Sequence, residues 1–294
     1  MKMLLIAASV IAGCLGGDNH SGAGGAQVSP GKARYLCVGM EMSARFGSCP
    51  GCAVDATQLS WLMRQMYGYS GETLISEQAT KDAIVSRLKA GIESTPEDGL
   101  FLFLYSGHGG QEYLGGTEPD GADRMDEYLC FYDRHMMDDE LWEIVSKCKG
   151  RVFLYFDACH SETMFRSVAR KPRATGTASA LGLATLPEDI VSSHGFTFAP
   201  AMERRMKATA LSKDSSRSGN VRIMCWSGCK EIEYSYGGNK GGYMTICLLK
   251  GWKKGLTYSD LWESVRAGVK KMEPTQNPVM TVLGEGFNGV EAFR

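Results

Sequence analysis

His108 and Cys159 each follow closely on a run of apolar residues, Phe101 to Tyr105 before Ser106-Gly107-His108 and Val152 to Phe156 before Asp157-Ala158-Cys159. Runs without polar alternation mark strands buried on both faces of a parallel sheet. Where two such strands lie side by side, both sequence ends fall on the carboxyl edge of the sheet, where open α/β folds place their sites. A histidine and a thiol then meet without adjacency in sequence. A thiol attacks a carbonyl only as thiolate, and a neighbouring imidazole favours that form. The glycines beside His108 (Gly107, Gly109 and Gly110) permit close backbone approach and leave an N–H to face a developing oxyanion. Either residue alone would more simply be a turn histidine or an inert buried thiol. The matched pair of strand ends is what points to nucleophilic catalysis.

The elements that must position this pair alternate. Arg34–Met40 reads as a strand, and Ala53–Met66 carries Leu59, Leu62, Met63 and Met66 at helical spacing. Thr73–Ile75 is a further short strand. Thr80 is a plausible N-cap for a helix from Lys81 to Gly91, ended by that glycine. Strands at Gly99–Tyr105 and Arg151–Phe156 bracket a helix over Asp138–Cys148. Beyond them come a strand at Val221–Trp226, a loop over Gly237–Gly242, a helix over Tyr243–Gly251 and a last long helix over Thr257–Met272. Such alternation argues for an open, mostly parallel sheet covered on both faces. The stretch 166–219 breaks the rhythm. It sets Arg170, Lys171, Arg173, Arg204, Arg205, Lys207, Lys213 and Arg217 among Ser, Thr, Ala and Gly. An ordered insertion and a loop both fit it, and long loops in compact domains tend to be functional.

Composition excludes several other classes. In 294 residues, 44% are hydrophobic and 22% charged, an ordinary globular mix. Lys plus Arg (32) nearly balance Asp plus Glu (33), for a net charge of −1. That offers no electrostatic footprint for nucleic acid, and no nucleic-acid partner is expected. The ten cysteines are scattered, several inside apolar runs such as Tyr35-Leu36-Cys37-Val38, so they read as small buried hydrophobes rather than a disulfide framework. Cys49-Pro50-Gly51-Cys52 has zinc-knuckle spacing, but no nearby His completes a ligand set. Zinc or dithiol chemistry there is a rival reading.

At the N-terminus, one lysine and the apolar Leu4–Val10 precede Ile11-Ala12-Gly13-Cys14. A membrane-spanning helix needs roughly 20 apolar residues, and this run is far shorter. Residues 1–13 look like a bacterial lipoprotein signal, with cleavage before a lipid-bearing Cys14. Gly16–Gly31 is Gly/Ser-rich and aperiodic, so residues 14–32 are expected to be a tether. The expected location is then the bacterial cell envelope, with any membrane contact through that anchor alone. If Leu4–Val10 is instead a buried first strand, the protein is cytoplasmic.

Tyr105-Ser106-Gly107-His108-Gly109 and Asp157-Ala158-Cys159-His160-Ser161 resemble the two catalytic motifs of clan CD cysteine peptidases, and within that clan the metacaspases. Further segments match in family order. Gly51-Cys52-Ala53-Val54-Asp55-Ala56 is similar to the family's first-helix opening, and Asp126-Glu127-Tyr128-Leu129-Cys130, with Asp133 and Asp138-Asp139-Glu140-Leu141, to its acidic stretch. Ser227-Gly228-Cys229-Lys230-Glu231 is similar to a strand end. Gly241-Gly242-Tyr243-Met244-Thr245, Thr257–Leu261 and Gln276-Asn277-Pro278 resemble the small-subunit half. The resemblance implies a caspase-like open, mostly parallel sheet of about six strands with helices on both faces. It implies one peptidase domain over 33–294, divided into a large-subunit-like half (33–165), an insertion (166–219) and a small-subunit-like half (220–294).

The same resemblance implies roles. Cys159 would be the nucleophile of an acyl-enzyme mechanism and His108 its base. The N–H groups of Gly109 and Cys159 would line the oxyanion hole. Asp157, Cys52, Asp55 and Ser227 would belong to the primary specificity pocket, and its carboxylates suit a guanidinium or ammonium, so cleavage after Arg or Lys is expected. No cofactor is needed for that chemistry. Calcium is a candidate activator, held by Asp126, Asp138 and Asp139, with Glu140 substituting where the family's fourth acidic position carries Arg166. Glu162 and Gly237 also depart from the family pattern. Self-cleavage in 166–219 would fall after Arg173, Arg205, Lys207 or Arg217. Protein or peptide substrates with a basic residue before the scissile bond are the expected partners, and a monomer the expected state. The rivals are a caspase-fold adaptor that binds without cutting, and a clan relative with legumain-like specificity.

Overall fold

The long apolar runs become the middle of the sheet. The computed structural model describes residues 28–113, 125–158, 221–230 and 233–294, of which 111–113, 125 and 126 by their backbone alone. Six strands form the main sheet: β1 (Ala33–Gly39), β2 (Ser70–Ile75), β3 (Leu100–Gly107), β4 (Arg151–Ala158), β5 (Arg222–Ser227) and β6 (Val279–Leu283). Their spatial order is β6-β5-β4-β3-β1-β2. Every pairing is parallel except β5 with β6. All eight residues of β3 and all eight of β4 are buried, as strands sandwiched between helical layers must be.

Among the described residues, five α-helices cover the two faces: α1 (Cys52–Tyr67), α2 (Lys81–Ser94), α3 (Asp138–Val145), α4 (Tyr243–Gly251) and α5 (Tyr258–Met272). Leu59, Leu62 and Met63 of α1, Met244 and Leu248 of α4, and Leu261, Val265 and Val269 of α5 pack with Leu102, Leu104, Phe153 and Trp226 on one face. Ile84 and Leu88 of α2 and Leu141 and Val145 of α3 pack with Phe101, Phe103, Leu154 and Phe156 on the other. Alternate residues of one strand therefore serve two separate cores, the period-2 consequence of a pleated backbone.

Several boundaries differ from expectation, each for a local reason. Helix α2 does not stop at Gly91 but runs to Ser94. A Cβ at Gly91 would lie 2.1 Å from Cε2 of Phe101, so this glycine lets the helix approach β3 rather than ending it. Thr80 caps that helix as expected, its hydroxyl accepting from the Ala83 N–H at 3.3 Å. Helix α3 ends at Val145, short of Cys148. Helix α4 spans Tyr243–Gly251 as expected, and Thr257 caps α5 by accepting from the Asp260 N–H at 3.1 Å. Strand β6 and a three-stranded ribbon (Gly109–Tyr113, Met125–Cys130 and His135–Met137) were not expected. The tether assigned to 14–32 ends earlier than composition suggests. Val28 is buried in the core and Pro30–Lys32 form a 3-10 turn beside the ion pair of Lys32 with Asp98. The leader, Cys14 and the insertion 166–219 lie outside the described residues, and none of the described helices is long and apolar enough to cross a membrane.

Candidate active site

The two strands singled out by sequence are neighbours. In the parallel register of β3 with β4, Ser106 stands opposite Asp157 and Gly107 opposite Ala158. The next residue in sequence is His108 after β3 and Cys159 after β4. Cys159 lies outside the described residues, so the geometry described is that of its surroundings.

His108 is buried and held from both ends. Its ring Nε2 lies 3.0 Å from the carbonyl oxygen of Ser48. A carbonyl only accepts, so Nε2 carries the proton and Nδ1 is left as the basic nitrogen. Ser48 ends a small hairpin, Met42–Ser43 with Gly47–Ser48. Its turn is tied by Ser43 Oγ, which accepts from the N–H groups of Arg45 (3.2 Å) and Phe46 (3.1 Å) and donates to the Phe131 carbonyl (3.1 Å). The backbone of His108 is fixed as well. Its carbonyl accepts from the Cys130 N–H at 3.0 Å and from the buried Tyr105 hydroxyl at 2.7 Å.

Beside the histidine, two wholly buried carboxyl groups converge. Asp55 lies in the first turn of α1 and Asp157 near the end of β4, both 0% exposed. Asp55 Oδ2 accepts from Ser106 Oγ (2.7 Å) and from the Gly242 N–H (2.9 Å). Asp157 Oδ2 accepts from both the N–H and the hydroxyl of Thr245 at 2.8 Å, and Oδ1 accepts from Ser235 Oγ at 3.1 Å. Burial raises the Asp55 pKa well above the ordinary carboxylate value, and the charge of Asp157 raises it further. The hydrogen bonds from Ser106 and Gly242 oppose the rise without cancelling it.

The N-terminus of α1, which carries Asp55, is capped by a residue that sequence reasoning missed. Glu41 Oε2 accepts from the N–H groups of Gly51 (2.9 Å) and Ala53 (3.0 Å), a carboxylate at the positive end of a helix. Ser106 was missed too, although its place between Tyr105 and His108 at a strand end was the available signal. Cys52 is buried one turn before Asp55, and its thiol donates to Cys49 Sγ at 2.6 Å. Burial raises the Cys52 pKa well above the usual thiol value, so it is a weak nucleophile. Among the described residues no three metal-ligating side chains converge, at this pair or elsewhere.

The structure does not bring Ser227 to the pocket. It pairs in register with Phe156, one residue short of Asp157 and so on the opposite face, with its hydroxyl 3.7 Å from Cys225 Sγ. The residues named for calcium are only partly described. Asp138 is buried at the start of α3, Asp139 follows it, and Asp126 is described by its backbone alone. Glu140 is already engaged, 2.7 Å from the Lys81 ammonium and 3.4 Å from the Met137 N–H. Arg166, Glu162, Arg173, Arg205, Lys207 and Arg217 lie outside the described residues.

A glycine pair packs against the two carboxyl groups. A Cβ on Gly242 would lie 2.2 Å from Asp157 Oδ2, and one on Gly241, whose φ is +111°, would lie 2.1 Å from Asp55 Oδ1. Gly241→Ala combines strained backbone with that clash. It is expected to displace the Asp55 carboxyl and lower the melting temperature by about 2 °C or more while leaving far-ultraviolet dichroism unchanged. A thermal melt checks this, and an unchanged melting temperature would mean that the loop does not press on Asp55.

A buried imidazole thus lies at the carboxyl edge of a mostly parallel six-stranded sheet, beside two buried carboxyl groups. The chain belongs to peptidase family C14: the model of its caspase domain matches residues 36–284. Among curated proteins, it is 35% identical over 148 residues to Metacaspase-1 of Pyricularia oryzae, covering 45% of this chain and 37% of that protein. It is 27% identical over 276 residues to Metacaspase-1A of Aspergillus fumigatus, covering 80% and 65%. The chain thus spans between about a third and two thirds of the length of such relatives. Among solved structures, a protein of Geobacter sulfurreducens superposes with a TM-score of 0.60 at 24% identity, covering 86% of this chain and 94% of that one. Caspase-1 of Spodoptera frugiperda superposes at 0.51 and 12% identity, covering 91% and 93%. These two likenesses concern the fold.

Proposed function

We propose that this protein is a cysteine endopeptidase that cleaves after Arg or Lys, with Cys159 as nucleophile and His108 as its base. The convergence of Asp55 and Asp157 beside His108 carries the proposal. Two buried carboxyl groups in one pocket suit a cationic side chain and repel an acidic one. The caspase-domain family and the curated metacaspases support the chemistry.

In this mechanism His108 Nδ1 accepts the Cys159 proton, while the bond from Nε2 to Ser48 keeps the ring oriented and steadies the imidazolium. The thiolate adds to the carbonyl carbon after the basic residue. The oxyanion that forms meets the N–H groups of Gly109 and Cys159. The imidazolium then gives its proton to the departing amine, leaving an acyl-enzyme that a water molecule, deprotonated by His108, hydrolyses. Substrate binding shifts the carboxyl pair to its doubly ionised form and releases one proton from Asp55.

A panel of peptides with Arg, Lys, Asp or Asn before the scissile bond, with and without calcium, tests the reading. Arg and Lys peptides should turn over, and Asp and Asn peptides should not. Preference for Asp would remove the pocket argument, and preference for Asn would favour legumain-like specificity. Dependence on calcium would assign the ion to the Asp126, Asp138 and Asp139 region. Incubating the protein alone and weighing the fragments tests self-cleavage, proposed after Arg173, Arg205, Lys207 or Arg217.

A further inference from the structure

Asp157 is gripped by a chain of hydrogen bonds whose direction is fixed, and that chain begins at a residue with no role in the pocket so far. Gln276 lies between α5 and β6, and its side chain is wholly buried. Its amide nitrogen donates to the Gly228 carbonyl at 2.7 Å and to Ser235 Oγ at 2.9 Å. Its amide oxygen accepts from the Tyr236 N–H at 3.1 Å. Both amide protons are thereby used, and the orientation of the amide is determined by its partners.

The consequence falls on Ser235, also 0% exposed. Its oxygen already receives a proton from Gln276, so its own proton goes to the remaining partner, Asp157 Oδ1. A carboxylate accepts and an amide N–H donates, so the order Gln276 to Ser235 to Asp157 cannot reverse. The other carboxylate oxygen ends a similar chain. Thr245 Oγ1 gives its proton to Asp157 Oδ2, which leaves the Tyr155 hydroxyl, 3.0 Å away, to donate to Thr245. With the Thr245 N–H, Asp157 receives three donated protons. Donors of this kind stabilise the ionised form, and linked donors polarise one another.

The two pocket carboxyls therefore differ in kind. Asp55 Oδ2 receives two donors, from Ser106 and Gly242, whereas Asp157 receives three, a set that favours its ionised form. From this asymmetry we infer that Ser235 and Gln276 are positioning residues for substrate specificity, acting through Asp157 to fix the charge and direction of the acceptor for a guanidinium or ammonium group. The inference rests on the basic-residue specificity proposed above and adds the residues that enforce it. Neither residue touches the reacting atoms.

The test compares two substrates that share shape and differ in charge, one with arginine and one with citrulline before the scissile bond. The wild-type protein is measured first. Absence of an arginine preference there would overturn the specificity reading itself, and the positioning role with it. Given that preference, Ser235→Ala and Gln276→Met should each lower the arginine-to-citrulline ratio of kcat/KM at least about tenfold, since hydrogen bonds to charged groups are the stronger kind. The loss should appear in KM for arginine, with kcat largely kept. Equal losses on both substrates, or a ratio that does not move, would show a merely structural role and overturn the inference. Should Gln276→Met fail to fold, Ser235→Ala, which removes a single oxygen, carries the same test.

Discussion

Cys159→Ala and His108→Ala are each expected to abolish peptide hydrolysis, lowering kcat by about a thousandfold or more, with the double variant little worse than either single one. The non-additivity follows from the chemistry. Without the thiol the imidazole has nothing to deprotonate, and without the imidazole the thiol stays protonated. The two variants should nonetheless differ in structure. The His108 ring holds the Ser48 carbonyl, so His108→Ala frees the hairpin over residues 42–48 and should increase amide exchange there. Cys159→Ala makes no such change. Assays with an arginyl peptide, beside hydrogen exchange of both variants, check this, and near-normal turnover in Cys159→Ala would falsify the nucleophile assignment.

The second large effect concerns the carboxyl pair, where activity and stability should move in opposite directions. Truncating one partner of a buried charge pair removes about 2–5 kcal/mol of binding, so Asp157→Ala should raise KM for arginyl peptides from about thirtyfold to several thousandfold. Asp55→Asn should act in the same direction and less strongly, and it should also stabilise the empty protein. The Asp55 carboxyl has a folded-state pKa raised by burial and by Asp157. From the ordinary carboxylate pKa of about 4 up to that raised value, the folded protein keeps a proton that the unfolded chain gives up. Stability is thus present at low pH and declines as pH rises through this window. Asparagine removes the titration, so the Tm advantage of Asp55→Asn should grow from pH 4 upward and reach about 3 °C or more by pH 8. In the wild type, affinity for arginyl substrates should rise over the same window, because the retained proton competes with the substrate cation. Parallel thermal melts and KM values against pH read both effects. A Tm difference that shrank as pH rose would contradict the sign.

Much of this site was legible in the sequence because the strands that carry it are extreme. Phe101 to Tyr105 and Val152 to Phe156 have no polar interruption, and that pattern has few interpretations besides a strand buried on both faces. Strand β6 was not legible. Val279–Leu283 is a half-exposed edge strand that mixes Thr281 with Val and Met, and it follows a proline-bearing turn. The ribbon around 109–137 is set by tertiary pairing with no strong alternation to announce it. Gly91 misled because a glycine that ends a helix and one that makes room for a ring look alike in sequence. Asp55 was reached only through resemblance, since its burial depends on Ser106 and Gly242, 51 and 187 residues away. Glu41 as a helix cap, and Gln276 as more than a match to a family segment, depend on contacts that no local pattern encodes.

The parallel pairing of β4 with β5 has a consequence for the state of the chain after cutting. The two strands bracket residues 159–221 and are joined over Arg151–Phe156 and Arg222–Ser227 by a ladder buried in the sheet interior. Asp157 lies on one side of that gap, while Ser235, Thr245 and Gln276, which hold it or brace the residue that does, lie on the other. A break anywhere in between severs a covalent path and leaves in place the β4–β5 ladder and the bonds to Asp157 among the described residues. The product of such a break is two polypeptides sharing one sheet, a non-covalent heterodimer in which donors on one half hold a carboxyl group on the other.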